Sequence, residues 1–76
     1  MKRYRNLSGN SGVVAYESGR DSITLKFVAG GEYLYTVESA GAENIRRMRN
    51  LAEVGEGLSA FVAQHVRGQY AAKLGH

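Results

Sequence analysis

The stretch GGEYLYTV, residues 30–37, decides the predicted fold, because a glycine turn leads there into a strand with two tyrosines at a spacing of two. Side chains two positions apart on a strand project from the same face, so Tyr33 and Tyr35 lie together. They are either the large apolar residues of a small core or an aromatic platform on which a base or a peptide stacks. The functional interpretation depends on which of these holds.

The residues before this stretch predict two more strands. Residues 22–27, SITLKF, alternate strictly between large apolar and polar side chains, and residues 13–17, VVAYE, form a shorter strand. A four-residue turn at 18–21 would pair Tyr16 with Ile23 and Val14 with Leu25. Because short turns join all three strands, the sequence predicts an antiparallel meander.

The turn before the tyrosine strand has two possible lengths with opposite consequences. A three-residue loop, 29–31, pairs Phe27 with Tyr33 and Leu25 with Tyr35, which gathers the large apolar side chains on one face. A two- or four-residue loop moves both tyrosines to the face of Lys26, since a register change of one residue turns a strand over. The three-residue loop is favoured because it buries more apolar area, and the alternative gives the platform.

Helical spacing replaces the alternation after residue 37. A first helix is predicted from about 40 to 52 with Ser39 as its N-cap, and a second from 58 to about 67 that stops at Gly68. Residues 69–74 form a tail that could continue as a turn of helix. The predicted fold class is α+β, a βββαα chain with both helices on one face of the sheet. Residues 1–12 are expected to form a flexible basic arm, and 13–76 a single domain.

Composition narrows the class of protein. The chain has 76 residues, no cysteine and two histidines, so neither a disulfide nor a structural zinc site is expected. Ten basic residues against seven acidic ones give a net charge of +3, which permits nucleic-acid binding without requiring it. No signal-peptide or membrane-spanning run is present, so a cytoplasmic protein without a membrane partner is expected.

No residue pattern predicts an active site or a cofactor. His65 falls within the apolar arc of the second helix and is expected to be a buried core residue. No nucleophile is tied to it by a recognisable motif, and Gly30-Gly31 joins strand to strand, whereas a phosphate-binding glycine loop precedes a helix. No catalytic or metal-binding residue is therefore predicted.

Two basic clusters are candidates for contacts with phosphate groups. Arg46 and Arg49 lie on one flank of the first helix, and Lys2, Arg3 and Arg5 stand on the N-terminal arm. The alternative for both is an ordinary solvated surface.

Three short motifs in this order resemble the KTSC domain, a family found alone in bacterial and phage proteins and at the C-terminus of some lysyl-tRNA synthetases. Its central mark, a Tyr-x-Tyr strand after a glycine turn, is matched by residues 30–35 with Gly30, Gly31, Tyr33 and Tyr35. The strand-turn-strand segment before it resembles residues 14–17 and 23–27. The family's later helix, basic motif and tyrosine are matched by Phe61, His65, Arg67, Gly68 and Tyr70.

The resemblance covers residues 12–74, with departures at Ser39, where the family often has proline, and at Ala71-Ala72, which replaces a proline-aromatic pair. It implies RNA binding in which Tyr33, Tyr35, Arg67 and Tyr70 are the main contacts. Arg67 would reach either a phosphate or the last helical carbonyl groups. We therefore expect a small non-enzymatic module that binds RNA or another nucleic acid. The alternative is a protein-interaction or self-associating module, because a three-stranded sheet has free edges and one uncovered face.

Overall fold

An antiparallel sheet of five strands in the order β1-β2-β3-β4-β5 forms one layer of the molecule. The structure is a computed structural model that describes residues 1–9 and 11–74. Each strand pairs with its neighbours in sequence, so the chain runs across the sheet from one edge to the other. The strands are β1 (Lys2–Arg3), β2 (Val13–Ser18), β3 (Ser22–Phe27), β4 (Gly31–Thr36) and β5 (Ala72–Lys73).

Three α-helices connect β4 to β5: α1 (Val37–Ala40), α2 (Ala42–Val54) and α3 (Leu58–Phe61), and α3 continues into a π-helix, Val62–Val66. The class α+β is thus confirmed, whereas the βββαα layout lacks two strands and one helix. Helix α1 begins earlier than predicted because Thr36, and not Ser39, is its N-cap. The Thr36 hydroxyl accepts from the Ser39 N–H at 3.1 Å, and the Ser39 hydroxyl accepts from the Thr36 N–H at 3.0 Å, a capping box.

The β3–β4 hairpin has the predicted three-residue loop, but at residues 28–30. Leu25 lies opposite Tyr33 and Ile23 opposite Tyr35, two positions away from the predicted register. The reason is that Gly30, with a φ of 97°, supplies the left-handed residue that closes this type of loop. A shift of two leaves the faces unchanged, so the tyrosines share the face of the apolar β3 residues.

The β2–β3 hairpin is also displaced by two positions, with Tyr16 opposite Leu25. A β-bulge between Val13 and Ala15 then reverses the alternation. Val13 is consequently fully buried and Val14 is exposed, whereas the sequence predicts Val14 on the inner face.

Both ends of the described chain are strands, contrary to prediction. In place of the flexible arm predicted for the N-terminal residues, β1 pairs with β2. Tyr4, the residue that follows β1, is buried in the core. In place of a helical turn, β5 pairs with β4, Lys73 opposite Tyr33 and Ala72 opposite Leu34. These pairings join residues far apart in the chain, and the two-residue strands are too short to show a period.

The core lies between the inner face of the sheet and the helices. Inner residues of the middle strands, including Ile23 and Leu25, pack against buried residues of α2 and α3, including Met48 and Leu58. The outer face contributes no residue to this core. No helix of the described residues has the length and apolar character needed to cross a membrane.

Candidate functional site

An open pocket of about 470 Å³ lies on the inner face of the sheet, at the edge formed by β4 and β5. Its volume falls in the range of about 300–1,000 Å³ that is usual for sites of small ligands. Strand side chains form one wall and the glycine turn between β3 and β4 forms the other. The lining residues are Phe27, Ala29, Gly30, Gly31, Tyr33, Tyr35 and Lys73.

Three aromatic rings of the pocket lining, Phe27, Tyr33 and Tyr35, form an edge-to-face cluster with Tyr70, which packs beside the pocket and is not part of its lining. The Tyr33 ring centre lies 5.5 Å from that of Phe27 and 4.8 Å from that of Tyr70, at interplanar angles of 87° and 70°. Tyr35 contacts Tyr70 at 6.3 Å and 87°. This geometry is the favoured one for aromatic pairs, so each ring holds the next in place.

The tyrosines differ in their access to solvent. Tyr35 is buried at 3% exposure, Tyr33 is half-buried, and Tyr70 is exposed at 40%. Tyr35 therefore acts as part of the core, as the sequence predicts for its face, whereas Tyr33 and Tyr70 can offer ring surface to a ligand. Burial, with smaller contributions from Tyr33 and Tyr70, raises the pKa of Tyr35 above its ordinary value of 10.0.

Gly31 lies close to the ring of Tyr33. A Cβ atom on Gly31 would lie 3.1 Å from Cε1 of Tyr33, closer than most contacts of such atoms. The two glycines of the turn thus have separate functions: Gly30 supplies the positive φ, and Gly31 leaves space for the ring.

Lys73 brings a positive charge to the aromatic cluster. Its ammonium nitrogen lies 5.7 Å from the centre of the Tyr33 ring, within the distance of about 6 Å at which a cation and a ring attract each other. Sequence reasoning missed Lys73 because its position depends on the pairing of β5 with β4. Residues 70–74, YAAKL, carry no usable signal, because Ala71 interrupts the alternation and the segment is too short to distinguish from a loop.

His65 and Arg67 do not line this pocket. His65 is exposed, and its ring stacks on Phe61 at 4.6 Å and 29°, so the expectation of a buried core histidine is wrong. The π-helix rotates His65 outward while Val62 and Val66 remain buried.

Arg67 is exposed at the end of the π-helix, just before Gly68 with its φ of 79°. Within the described part of the chain its guanidinium forms neither a hydrogen bond nor an ion pair, so it does not bond to the helical carbonyl groups.

Arg46 and Arg49 lie on α2 and already have intramolecular partners. Arg46 and Arg47 both bond to the Glu43 carboxylate, at 2.5 and 3.2 Å, and these bonds lower the pKa of Glu43. Glu43 lies four residues before Arg47, the favourable order for an ion pair on a helix surface. Arg49 donates to the backbone carbonyl of Arg20 at 3.3 Å. The structure does not bring these arginines to the aromatic pocket.

Lys2, Arg3 and Arg5 lie at the opposite edge of the sheet, beside β1. Four strand spacings separate β1 from β5, which is about 19 Å. The structure therefore divides the predicted binding residues into an aromatic group at one edge and basic groups elsewhere.

The described residues contain no group of three or more His, Cys, Asp or Glu side chains arranged to hold a metal ion. No protein-family model, curated protein or solved structure matches this chain.

Proposed function

We propose that this protein is a small non-enzymatic module that binds single-stranded RNA, or nucleic acid more generally, at the pocket formed by β4, β5 and the glycine turn. The observation that carries the proposal is an open pocket lined by Tyr33 and Lys73, with the exposed ring of Tyr70 packed against Tyr33 beside it. It combines available aromatic surface with a cation, the two elements that sequence-tolerant binding of single strands requires.

The base of a nucleotide would stack on the accessible tyrosine surface. Tyr70 is the most exposed ring of the cluster and is held edge to face by Tyr33 and Tyr35. A ring fixed in this way loses little conformational freedom when a base covers it. Stacking of one base on such a side chain is worth about 1–3 kcal/mol.

The phosphate groups would be neutralised by Lys73 and Arg67. Both side chains are exposed, and neither forms an ion pair with a described residue. Each phosphate contact releases counterions, so binding would weaken steeply as the salt concentration rises.

The resemblance to the KTSC domain supports the same pocket. Tyr33, Tyr35 and Tyr70, which match positions of the family's motifs, come from the middle and the end of the chain and meet in one cluster. His65 and Arg67 match further positions and stand outside it. The absence of cysteine is compatible with action in the reducing cytoplasm.

The proposal is tested by NMR titration of labelled protein with a mixed single-stranded RNA at low and moderate salt. Shifts should concentrate on residues 31–35 and 67–74 and should fade as salt increases. Tyr70→Ala should weaken binding by about 1–3 kcal/mol, while Tyr70→Phe keeps the ring and should bind nearly as well. Lys73→Gln should also weaken binding.

The matched control for Lys73 is Lys26→Gln. Lys26 is an exposed strand lysine of the same charge, but it lies on the outer face of the sheet, opposite Glu32 on the neighbouring strand. Equal losses for both lysine variants would mean that only net charge matters. That result, or no shifts at the pocket, would reject the site.

Self-association is a second candidate, favoured by the outer face of the sheet. No core residue belongs to this face, and its charges are of both signs, with Lys26 opposite Glu32 and near Glu17. Such a surface can be complementary to a second copy of itself across a two-fold axis. Sedimentation at increasing concentration tests it, and reversal of charge at Lys26 should then shift the equilibrium toward the monomer.

A further inference from the structure

A second concave surface, here called the basic cleft, lies between β1 and the C-terminal half of α2. It has a volume of about 570 Å³ and is mainly polar, unlike the aromatic pocket. Three cationic side chains line it, together with one carboxylate. Its residues are Lys2, Arg3, Arg5, Tyr16, Ala52 and Glu53.

The cations of this cleft stand on a backbone that is anchored. Lys2 and Arg3 pair with Tyr16 and Ala15 of β2. Between Arg3 and Arg5, Tyr4 is buried at 3% exposure, and its N–H donates to the Val14 carbonyl at 3.0 Å. The cleft is therefore formed by the fold, and a ligand would not have to order a loose arm to reach it.

Arg5 has a further constraint from α2. A Cβ atom on Gly55, the C-cap of this helix, would lie 2.6 Å from the Arg5 Cβ, so the Arg5 side chain occupies the space that a side chain on Gly55 would need. The Leu7 N–H donates to the Gly55 carbonyl at 2.7 Å and fixes the same junction. The start of the Arg5 side chain is thus held against the end of the helix.

The cations of the cleft form no ion pair with any described residue. Every ion pair among the described residues uses the carboxylate of Glu43, on the first turn of α2. Lys2, Arg3 and Arg5 form no side-chain hydrogen bond there either. With Glu53 as its one acid, the cleft has a net charge of +2, out of +3 for the whole chain.

We infer that the basic cleft is a phosphate-binding site. Two guanidinium groups can each bond two oxygen atoms of a phosphate, and the lysine adds a point charge. The site is separate from the aromatic pocket: Lys2 and Lys73 stand at opposite ends of one cross-strand row that also contains Tyr16, Leu25 and Tyr33. The inference goes beyond the proposed function and does not depend on base stacking.

The first experiment is an NMR titration with inorganic phosphate at low ionic strength. Saturable shifts are expected for residues 2–5, 16 and 52–53. A Lys2→Gln, Arg3→Gln double variant should weaken phosphate binding about tenfold, because it removes two charge-assisted contacts. Both side chains are exposed, so the fold should persist, and Arg5 is left unchanged because it packs against Gly55.

The Glu53→Gln variant tests whether the charge of the cleft binds phosphate, because a cleft with only a structural role would not gain affinity when this carboxylate is removed. Removal of the one carboxylate should tighten phosphate binding roughly threefold, in line with the size of a surface charge interaction. Lys26→Gln is the control for net charge and should leave the affinity unchanged. Shifts that do not saturate, or equal effects of Lys26→Gln and the double variant, would overturn the site.

The source of the phosphate is distinguished by comparing inorganic phosphate with an oligonucleotide backbone that lacks bases. Tighter binding of the backbone, lost in the double variant, assigns the cleft to nucleic acid. Binding of inorganic phosphate alone assigns it to a small phosphate compound. Absence of binding by both rejects the inference. Neither probe carries a base, so failure here is separate from failure of the aromatic pocket.

Discussion

The hydroxyl group of Tyr4 accepts a hydrogen bond of 3.2 Å from the backbone N–H of Leu58, the first residue of α3. Gly57, which precedes this helix, has no side chain with which to cap it. Tyr4, from the other end of the described chain, therefore satisfies an N–H group that a helix normally leaves without a partner. This buried hydrogen bond joins the residue that follows β1 to the start of α3.

Tyr4→Phe should accordingly destabilise the protein by about 1–3 kcal/mol, because it leaves the Leu58 N–H buried without an acceptor while the ring is kept. Urea unfolding measures the change. Tyr70→Phe is the control, since the Tyr70 hydroxyl lies on an exposed side chain, and its effect should stay within about 0.5 kcal/mol. Equal stabilities of the two variants would show that the hydrogen bond contributes nothing.

Gly55→Ala should be considerably more destabilising than Gly57→Ala. Both glycines have left-handed backbones, with φ values of 89° and 86°, so each substitution costs about 1–2 kcal/mol for conformation. A Cβ on Gly57 meets only Leu51, at 3.7 Å, whereas one on Gly55 overlaps the Arg5 Cβ at 2.6 Å. Thermal unfolding measures the stability of both variants, and the difference between their losses is the cost of the overlap with Arg5. Similar losses would mean that Arg5 moves away freely.

The free energy of unfolding should fall as the pH rises above about 10, in part because of Tyr35. Burial raises the pKa of Tyr35 in the folded protein. Above pH 10 the hydroxyl group therefore loses its proton more readily in the unfolded chain, and this deprotonation favours the unfolded state over the folded one. Below pH 10 the contribution is fully present. Urea unfolding across this range should show a smaller slope for Tyr35→Phe than for the unchanged protein. Identical slopes would contradict the raised pKa.

His65→Ala should change stability by less than about 1 kcal/mol, because the exposed ring loses only its stacking on Phe61. Val66→Ala, one residue further, should cost about 2 kcal/mol, since Val66 is fully buried. Denaturant unfolding of both variants compares them directly. A larger loss of stability for His65→Ala than for Val66→Ala would indicate that His65, and not Val66, is the buried residue.

The middle of the sheet was predictable because alternation reports directly which side chains share a face. The inner positions of Ile23 and Leu25 follow from this pattern alone, whereas that of Tyr35 also depends on the three-residue length of the β3–β4 loop. The register did not follow, because a shift of two residues leaves every face unchanged and only the left-handed backbone at Gly30 decides between the choices. The bulge at Val14 could not be predicted either, since it reverses the alternation that the prediction uses.

The site was predictable only in its local part. Tyr33 and Tyr35 are two residues apart on a strand, so the sequence predicts that they share a face. Tyr70 came from a family resemblance, and Lys73 was missed, because both depend on a strand of two residues that pairs with β4 across more than thirty positions. The cluster of Lys2, Arg3 and Arg5 was recognised as basic, but its setting against α2 requires the burial of Tyr4.

The attachment of β5 has a consequence for how the aromatic pocket opens. Residues 67–74 contribute nothing to the core, and the Ala71 and Leu74 N–H groups bond to the carbonyl groups of Leu34 and Glu32, both at 2.7 Å. Detachment of this segment would remove Tyr70 and Lys73 together while the rest of the molecule stays folded, a local unfolding event. Hydrogen exchange at Ala71 and Leu74 would then proceed through an opening smaller than global unfolding. A ligand that bridges Tyr33 and Lys73 would slow it, so occupancy of the pocket can be read from two backbone amides.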